Sequence, residues 1–288
     1  MKMITLMKML LKKLLKKIRK TRRLKVMSKV ISVLSLRNGV GRSTIAALLS
    51  LELTYDGKVL VIDNNYKFND LENYLMIEPQ YNIDDLKPFF RGDNLDKSTT
   101  KSIITNIENN LDILCGSKMK VNNTLSSDEL IKLIEIVRDD YDYIVVDNKA
   151  GIHHEEVLNL SNYIDHGLFI SHQNKYDYAN YLKQYKSLDN DNKKKINEIM
   201  EKSFFIYNRL SEDANLDIKE VKKDIGSKKI YKIYFDNKII DFLNGYNKKI
   251  NNNTSKILDK LLIQITGKEP DYNKVQLVGK KLKSILSS

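Results

Sequence analysis

Short apolar runs rich in β-branched residues recur along most of the chain, and amphipathic stretches separate them. Val30-Ile-Ser-Val-Leu-Ser35 is the first such run, a glycine-containing loop follows it, and Ser43 to Tyr55 carries the periodicity of a helix closed by Gly57. Val59-Leu-Val-Ile-Asp63 comes next, with the length and branching of a strand buried on both faces. A helix between these two runs predicts that the strands are parallel neighbours. Further strands are expected at Leu111 to Leu114, Tyr143 to Asp147, Leu168 to Ser171, Phe204 to Tyr207 and Ile230 to Tyr234, and helices at Asp128 to Arg138, Glu155 to Leu160, Tyr176 to Tyr185 and Ile239 to Leu243. A polar loop, Asn251 to Asn253, precedes two last expected helices, Ser255 to Ile265 and Lys274 to Leu286. The alternation predicts an α/β fold, a mainly parallel sheet with helices on both faces and a ligand at the carboxyl ends of its strands.

The first residues follow a different pattern. Ile4, Met7, Leu10, Leu11, Leu14, Leu15 and Ile18 fall on one helical face, with Lys8, Lys12, Lys13, Lys16, Lys17 and Lys20 opposite. Two regions result: a cationic amphipathic extension, 1–27, and a single domain, 28–288. The formal charge of the 288 residues is +12, and residues 1 to 29 hold twelve Lys or Arg and no Asp or Glu, so the rest is formally neutral. The excess therefore concerns attachment of the extension and says little about the domain. One cysteine, Cys115, excludes an internal disulfide, fits a reducing cytoplasmic compartment, and reads as a small buried hydrophobe. No apolar run reaches membrane-spanning length, and the recurring lysines argue against a signal peptide.

The chemistry concentrates in Gly39-Val-Gly-Arg-Ser-Thr44, between an expected strand and an expected helix. That context lets backbone N–H groups and a helix dipole converge on an anion such as phosphate. Arg37-Asn-Gly-Val-Gly-Arg-Ser-Thr44 resembles the deviant Walker A loop, Lys-Gly-Gly-x-Gly-Lys-[Ser/Thr]-Thr, of the MinD/ParA group of P-loop ATPases. Three more segments resemble that group in its own order: Gly57-Lys-Val-Leu-Val-Ile-Asp63 its switch I strand, Tyr141-Asp-Tyr-Ile-Val-Val-Asp147 its Walker B strand, and Phe205-Ile-Tyr-Asn-Arg209 its adenine-side strand.

The resemblance implies a P-loop NTPase fold, ATP or ADP with Mg²⁺ as cofactor, and a role for each matching residue. Gly39 and Gly41 admit the phosphates, with Asn38, Arg42 and Thr44 completing the loop. Ser43 offers its hydroxyl to Mg²⁺ and Asp147 holds the ion through its water shell. Asn208 bonds adenine, the backbone of Gly151 senses the γ-phosphate, and Asp63 is the first switch I acid. Arg37 takes the place of the lysine that reaches a partner's nucleotide in family dimers.

Beyond Arg37, four more departures qualify these roles. Arg42 replaces the loop lysine, and a guanidinium is not an equivalent point charge in a closed loop. Asn38 replaces a glycine, tolerable because asparagine accepts a left-handed backbone. Asn65 replaces the acid that activates water, a group worth about 10²–10⁴ in rate. Asn148-Lys149-Ala150-Gly151 replaces the family's Thr-Pro-Pro-Gly type of turn.

The expected function is a nucleotide-binding positioning or assembly factor with weak or absent ATPase activity, a pseudo-ATPase, acting as a homodimer that recruits a protein partner. Two alternatives stay open: an active DNA-partition ATPase and a nucleotide-free interaction module. Residues 4–20 suit an anionic membrane on its inner face. Docking on a partner is a second use for them. Nucleic acid is less favoured because the domain is neutral, and Met27-Ser-Lys-Val-Ile-Ser-Val reads equally as a natural start that leaves the extension out. His153-His154-Glu155 reads as a solvated loop rather than a metal site.

Overall fold

The computed structural model describes residues 28–65, 70–108, 110–119, 124–151, 154–211, 229–244 and 252–269. The helices expected at residues 4–20 and 274–286 and the residue His153 lie outside them, as does the extension 1–27. Among the described residues eight strands form one sheet: β1 (Lys29–Ser35), β2 (Val59–Asn64), β3 (Thr105–Glu108), β4 (Leu111–Leu114), β5 (Tyr143–Asn148), β6 (His166–Ser171), β7 (Ser203–Leu210) and β8 (Ile230–Tyr234). Their spatial order is β3-β4-β2-β5-β1-β6-β7-β8, and every pairing is parallel except the antiparallel β3 with β4.

The helices among the described residues are α1 (Arg42–Leu53), α2 (Asp70–Tyr74), α3 (Ile83–Arg91), α4 (Lys97–Ile103), α5 (Ser127–Val137), α6 (Glu155–Leu158), α7 (Lys175–Ser187), α8 (Asn190–Glu201), α9 (Asn237–Leu243) and α10 (Asn252–Thr266). Each central strand sends alternate residues to opposite cores. Ile31, Val33, Val59, Val61 and Val145 pack with α1, α9 and α10, whereas Val30, Leu34, Leu60, Ile62, Ile144 and Val146 pack with α3, α5 and α8. Burial on both faces is why these strands read as unbroken apolar runs.

One expectation about topology fails. β1 and β2 are parallel but not neighbours, because β5 lies between them and pairs with both. A strand buried along its whole length, with branched side chains on both faces, fits an interior slot, and β5, Tyr-Ile-Val-Val-Asp-Asn, is such a strand. The insertion sets Asp63 beside Asp147 in register, so two carboxylates share one end and one face of the sheet.

Candidate functional site

The loop after β1 leads into α1 at the carboxyl edge of the sheet, beside the paired ends of β2 and β5. Gly39 and Gly41 have φ of +79° and +88°, a region costly for any residue with a Cβ. Asn38 is not among the residues with positive φ, so its tolerance does not rest on a left-handed backbone. Gly41 is also the N-cap of α1, which has no side-chain cap and no acidic residue in its first turn. The helix therefore begins with N–H groups and a positive dipole end that an anion can satisfy.

An open cleft with about 480 Å³ of free volume lies over this helix start, lined by the loop residues around Gly39 and Gly41 and by Asn65, Asp70, Tyr74 and Arg209. Arg37, Arg42 and Arg209 bring three cations to it. Arg37 is half-exposed and bonds the buried Asp177 of α7 at 3.1 Å. Arg209 has φ of +56° at an irregularity in β7 and donates from Nη1 to the Gly39 carbonyl at 3.4 Å. A non-glycine residue held in that conformation at a cleft is a strain that the surrounding fold must maintain.

Behind the loop the side chains interlock. Arg42 is buried, donating from Nε to Asp147 Oδ1 at 2.6 Å and from Nη1 to Ser35 Oγ at 3.0 Å. The Ser43 hydroxyl donates to the other Asp147 oxygen at 2.5 Å. Asp63 accepts from the Asn65 N–H at 3.1 Å, and burial first, then the charge of Asp147, hold its carboxyl well above the usual range. Asn208 donates its amide to the Val40 carbonyl at 2.9 Å, and it packs so closely that a Cβ on Gly41 would lie 2.3 Å from Nδ2. The N–H of Gly151 donates to the Ser35 carbonyl at 2.7 Å, and Lys149 pairs with Glu156 at 2.5 Å to pin the turn after β5.

The loop, Ser43 and Asn65 line the cleft, while Asp63, Asp147, Gly151 and Asn208 lie behind or beside the loop. In this structure, however, Asn208 braces the loop from below, and the Gly151 N–H is engaged by β1. Sequence reasoning missed Asp70 and Tyr74. Tyr74 bonds both Asp70 and Thr44, and burial, followed by Asp147, raises the Asp70 carboxyl. The signal was present: Asp70-Leu-Glu72 is an acidic first turn seven residues after Asp63. Cys115 is buried as expected, its thiol pushed up to about 12 by burial. Among the described residues no three His, Cys, Asp or Glu side chains converge as a metal-binding group, and no helix is long and apolar enough to cross a membrane.

A family model described as an AAA domain matches residues 28–197, more than half of the chain. The septum site-determining protein MinD of Helicobacter pylori is 32% identical over 128 residues, 44% of this chain and 46% of that protein. The matched stretch spans under half the length of that relative. Among solved structures, a ParA family ATPase from Chlorobium tepidum superposes with a TM-score of 0.66 at 23% identity, over 82% of this chain and 99% of the other. A MinD from Pyrococcus horikoshii complexed with Mg-ADP gives a TM-score of 0.58 at 20% identity, over 76% and 86%. At such identities the structures establish likeness of fold.

Proposed function

The chain belongs to the AAA-domain family, with the fold of the MinD/ParA-like P-loop ATPases, and from that premise we propose that it is a nucleotide-binding positioning or assembly factor with weak or absent ATPase activity. The observation that carries the reading is the uncapped start of α1 at Gly41, opening on a cleft lined by the exposed Arg37 and Arg209. An anionic polyphosphate satisfies both the free N–H groups and the cations. The fold relative solved with Mg-ADP supports a nucleoside di- or triphosphate as the ligand. Weak turnover follows from Asn65, which lines the cleft where the family's activating acid is expected, and from Asp63, whose buried carboxyl is held by the Asn65 N–H. The partners belong to the same proposal: a second copy facing the loop, a protein recruited by that dimer, and an anionic membrane met by residues 4–20.

Thermal unfolding of the full chain tests the nucleotide. ATP or ADP at about 100 times its Kd stabilises by about 2.7 kcal/mol and raises the Tm accordingly. No shift with either nucleotide at millimolar concentration refutes the reading. Liposome flotation of the full chain against a chain begun at Met27 tests the membrane, and equal flotation removes residues 4–20 from it.

One observation favours a second reading, an active ATPase. Asp70 brings a half-buried carboxylate with a raised pKa to the cleft beside Asn65, the environment that suits a general base. Turnover abolished by Asp70→Asn would establish it.

A further inference from the structure

The residues expected to hold Mg²⁺ are present, but their arrangement does not fit the ion. The bond from Ser43 to Asp147 Oδ2 is compatible with a metal, since it leaves lone pairs on the hydroxyl. The other oxygen decides the matter. Asp147 Oδ1 faces the Arg42 guanidinium at 2.6 Å, and both side chains are buried, 5% and 0% exposed. Mg²⁺ keeps several of its waters and needs them anchored by carboxylate oxygens in near-octahedral positions. Here the oxygen that would anchor such a water is held by a cation that cannot be deprotonated and repels a divalent ion.

The surroundings keep the guanidinium where it is. Its Nη1 is bound to Ser35 Oγ at 3.0 Å, and Ser35 Oγ in turn donates to the Arg37 carbonyl at 3.0 Å, so Arg42 is tied to β1 and to the loop at once. Asp63 and Asp147 stand in register, and two adjacent carboxylates demand positive charge. Arg42 supplies one such charge, paired directly with Asp147 at 2.6 Å. Asp147 is thus balanced by a side chain of the chain itself.

We infer that Arg42 takes the place of Mg²⁺ in this loop, so that the protein binds a nucleoside di- or triphosphate as the metal-free polyphosphate. The inference rests on the nucleotide reading above and deepens it. The uncapped start of α1, Arg37 and Arg209 meet the phosphate charge that a metal shares in a metal-dependent loop. Lacking the ion, the site has no Lewis acid to draw charge from a transferring phosphoryl group, consistent with a nucleotide that is held rather than turned over.

The experiment is equilibrium binding of ATP to the full chain, once with EDTA and once with excess magnesium chloride, beside the variant Arg42→Lys. The wild-type Kd with EDTA is expected within about threefold of that with magnesium, or tighter. Arg42→Lys, whose compact ammonium leaves room at Asp147, is expected to bind ATP at least about tenfold more tightly with magnesium. Wild-type binding that weakens about tenfold or more in EDTA overturns the inference and leaves the nucleotide reading intact. A folded Arg42→Lys that stays indifferent to magnesium overturns the assignment to Arg42. No ATP bound in either condition overturns the nucleotide reading, and the inference with it. Should Arg42→Lys fail to fold, the two wild-type arms decide the question alone.

Discussion

Replacing Arg42 by methionine removes the cation from a fully enclosed carboxylate. Asp147 is 0% exposed and loses its 2.6 Å partner, while Asp63 remains beside it in register. Removing one member of a buried pair costs about 3–5 kcal/mol, most of it the penalty of the charge left behind. That penalty depends on pH with a defined sign. Burial and Asp147 already raise the Asp63 pKa in the folded state, and deleting Arg42 removes one of the interactions that oppose the rise. A carboxyl whose folded pKa lies above its unfolded value contributes stability at low pH that is lost as the pH climbs through the folded value. Arg42→Met should therefore destabilise more at the alkaline end of the protein's stable range than at the acid end. Adding Asp147→Asn removes the stranded charge, and the double variant should recover to within about 1–2 kcal/mol of wild type. Urea denaturation of the four proteins of the cycle, at a pH near each end of that range, gives the numbers. Single costs that simply add, or an Arg42→Met cost unchanged between the two pH values, would refute the picture of Asp147 held by Arg42 beside a second buried carboxyl.

Three further outcomes are expected. Gly41→Ala should cost about 2–3 kcal/mol in urea midpoint measurements, combining a left-handed alanine with loss of the bond from Asn208 to Val40; Gly39→Ala, whose Cβ would meet nothing within 4 Å, should cost only the backbone part, and equal costs would contradict the close packing of Asn208. Burial, then Asp259, push the Glu52 carboxyl of α1 up to about 7, so stability should fall as the pH rises from about 4.5 through 7, and Glu52→Gln should flatten that fall, gaining at most about 3 kcal/mol at pH 8. Asn65→Asp should raise single-turnover ATP hydrolysis by about 10² or more by restoring an acid to the cleft, and an unchanged rate would show that Asn65 is not what restrains turnover.

Why some of this was legible in the sequence and some was not has physical causes. The strands β1, β2 and β5 announce themselves because burial on both faces demands unbroken apolar runs, and the loop does because positive φ demands glycine at positions 39 and 41. The slot of β5 between β1 and β2 is set by long-range pairing, which no local run encodes. Helix α8, Asn190–Glu201, escapes notice because it is strongly polar and buries only Ile196 and Ile199. The edge strand β3, Thr-Asn-Ile-Glu, has no apolar pattern and exists through its antiparallel pairing with β4. In the site, the resemblance located Arg42, Ser43 and Asp147 but could not say that the guanidinium turns inward onto Asp147 instead of outward to a ligand. Asp70 was missed because it reaches the cleft through a turn of helix beyond β2, outside any matched motif.

Whether the loop holds nucleotide and hardly turns it over, as proposed, is measured in one experiment. Radiolabelled ATP is incubated with the full chain in molar excess, and bound nucleotide and released phosphate are followed in the same samples. Saturable retention of intact ATP is expected, with hydrolysis at least about 10²-fold below the ordinary enzyme range of about 1–10³ per second. No retention, or phosphate release within that range, would contradict the proposal.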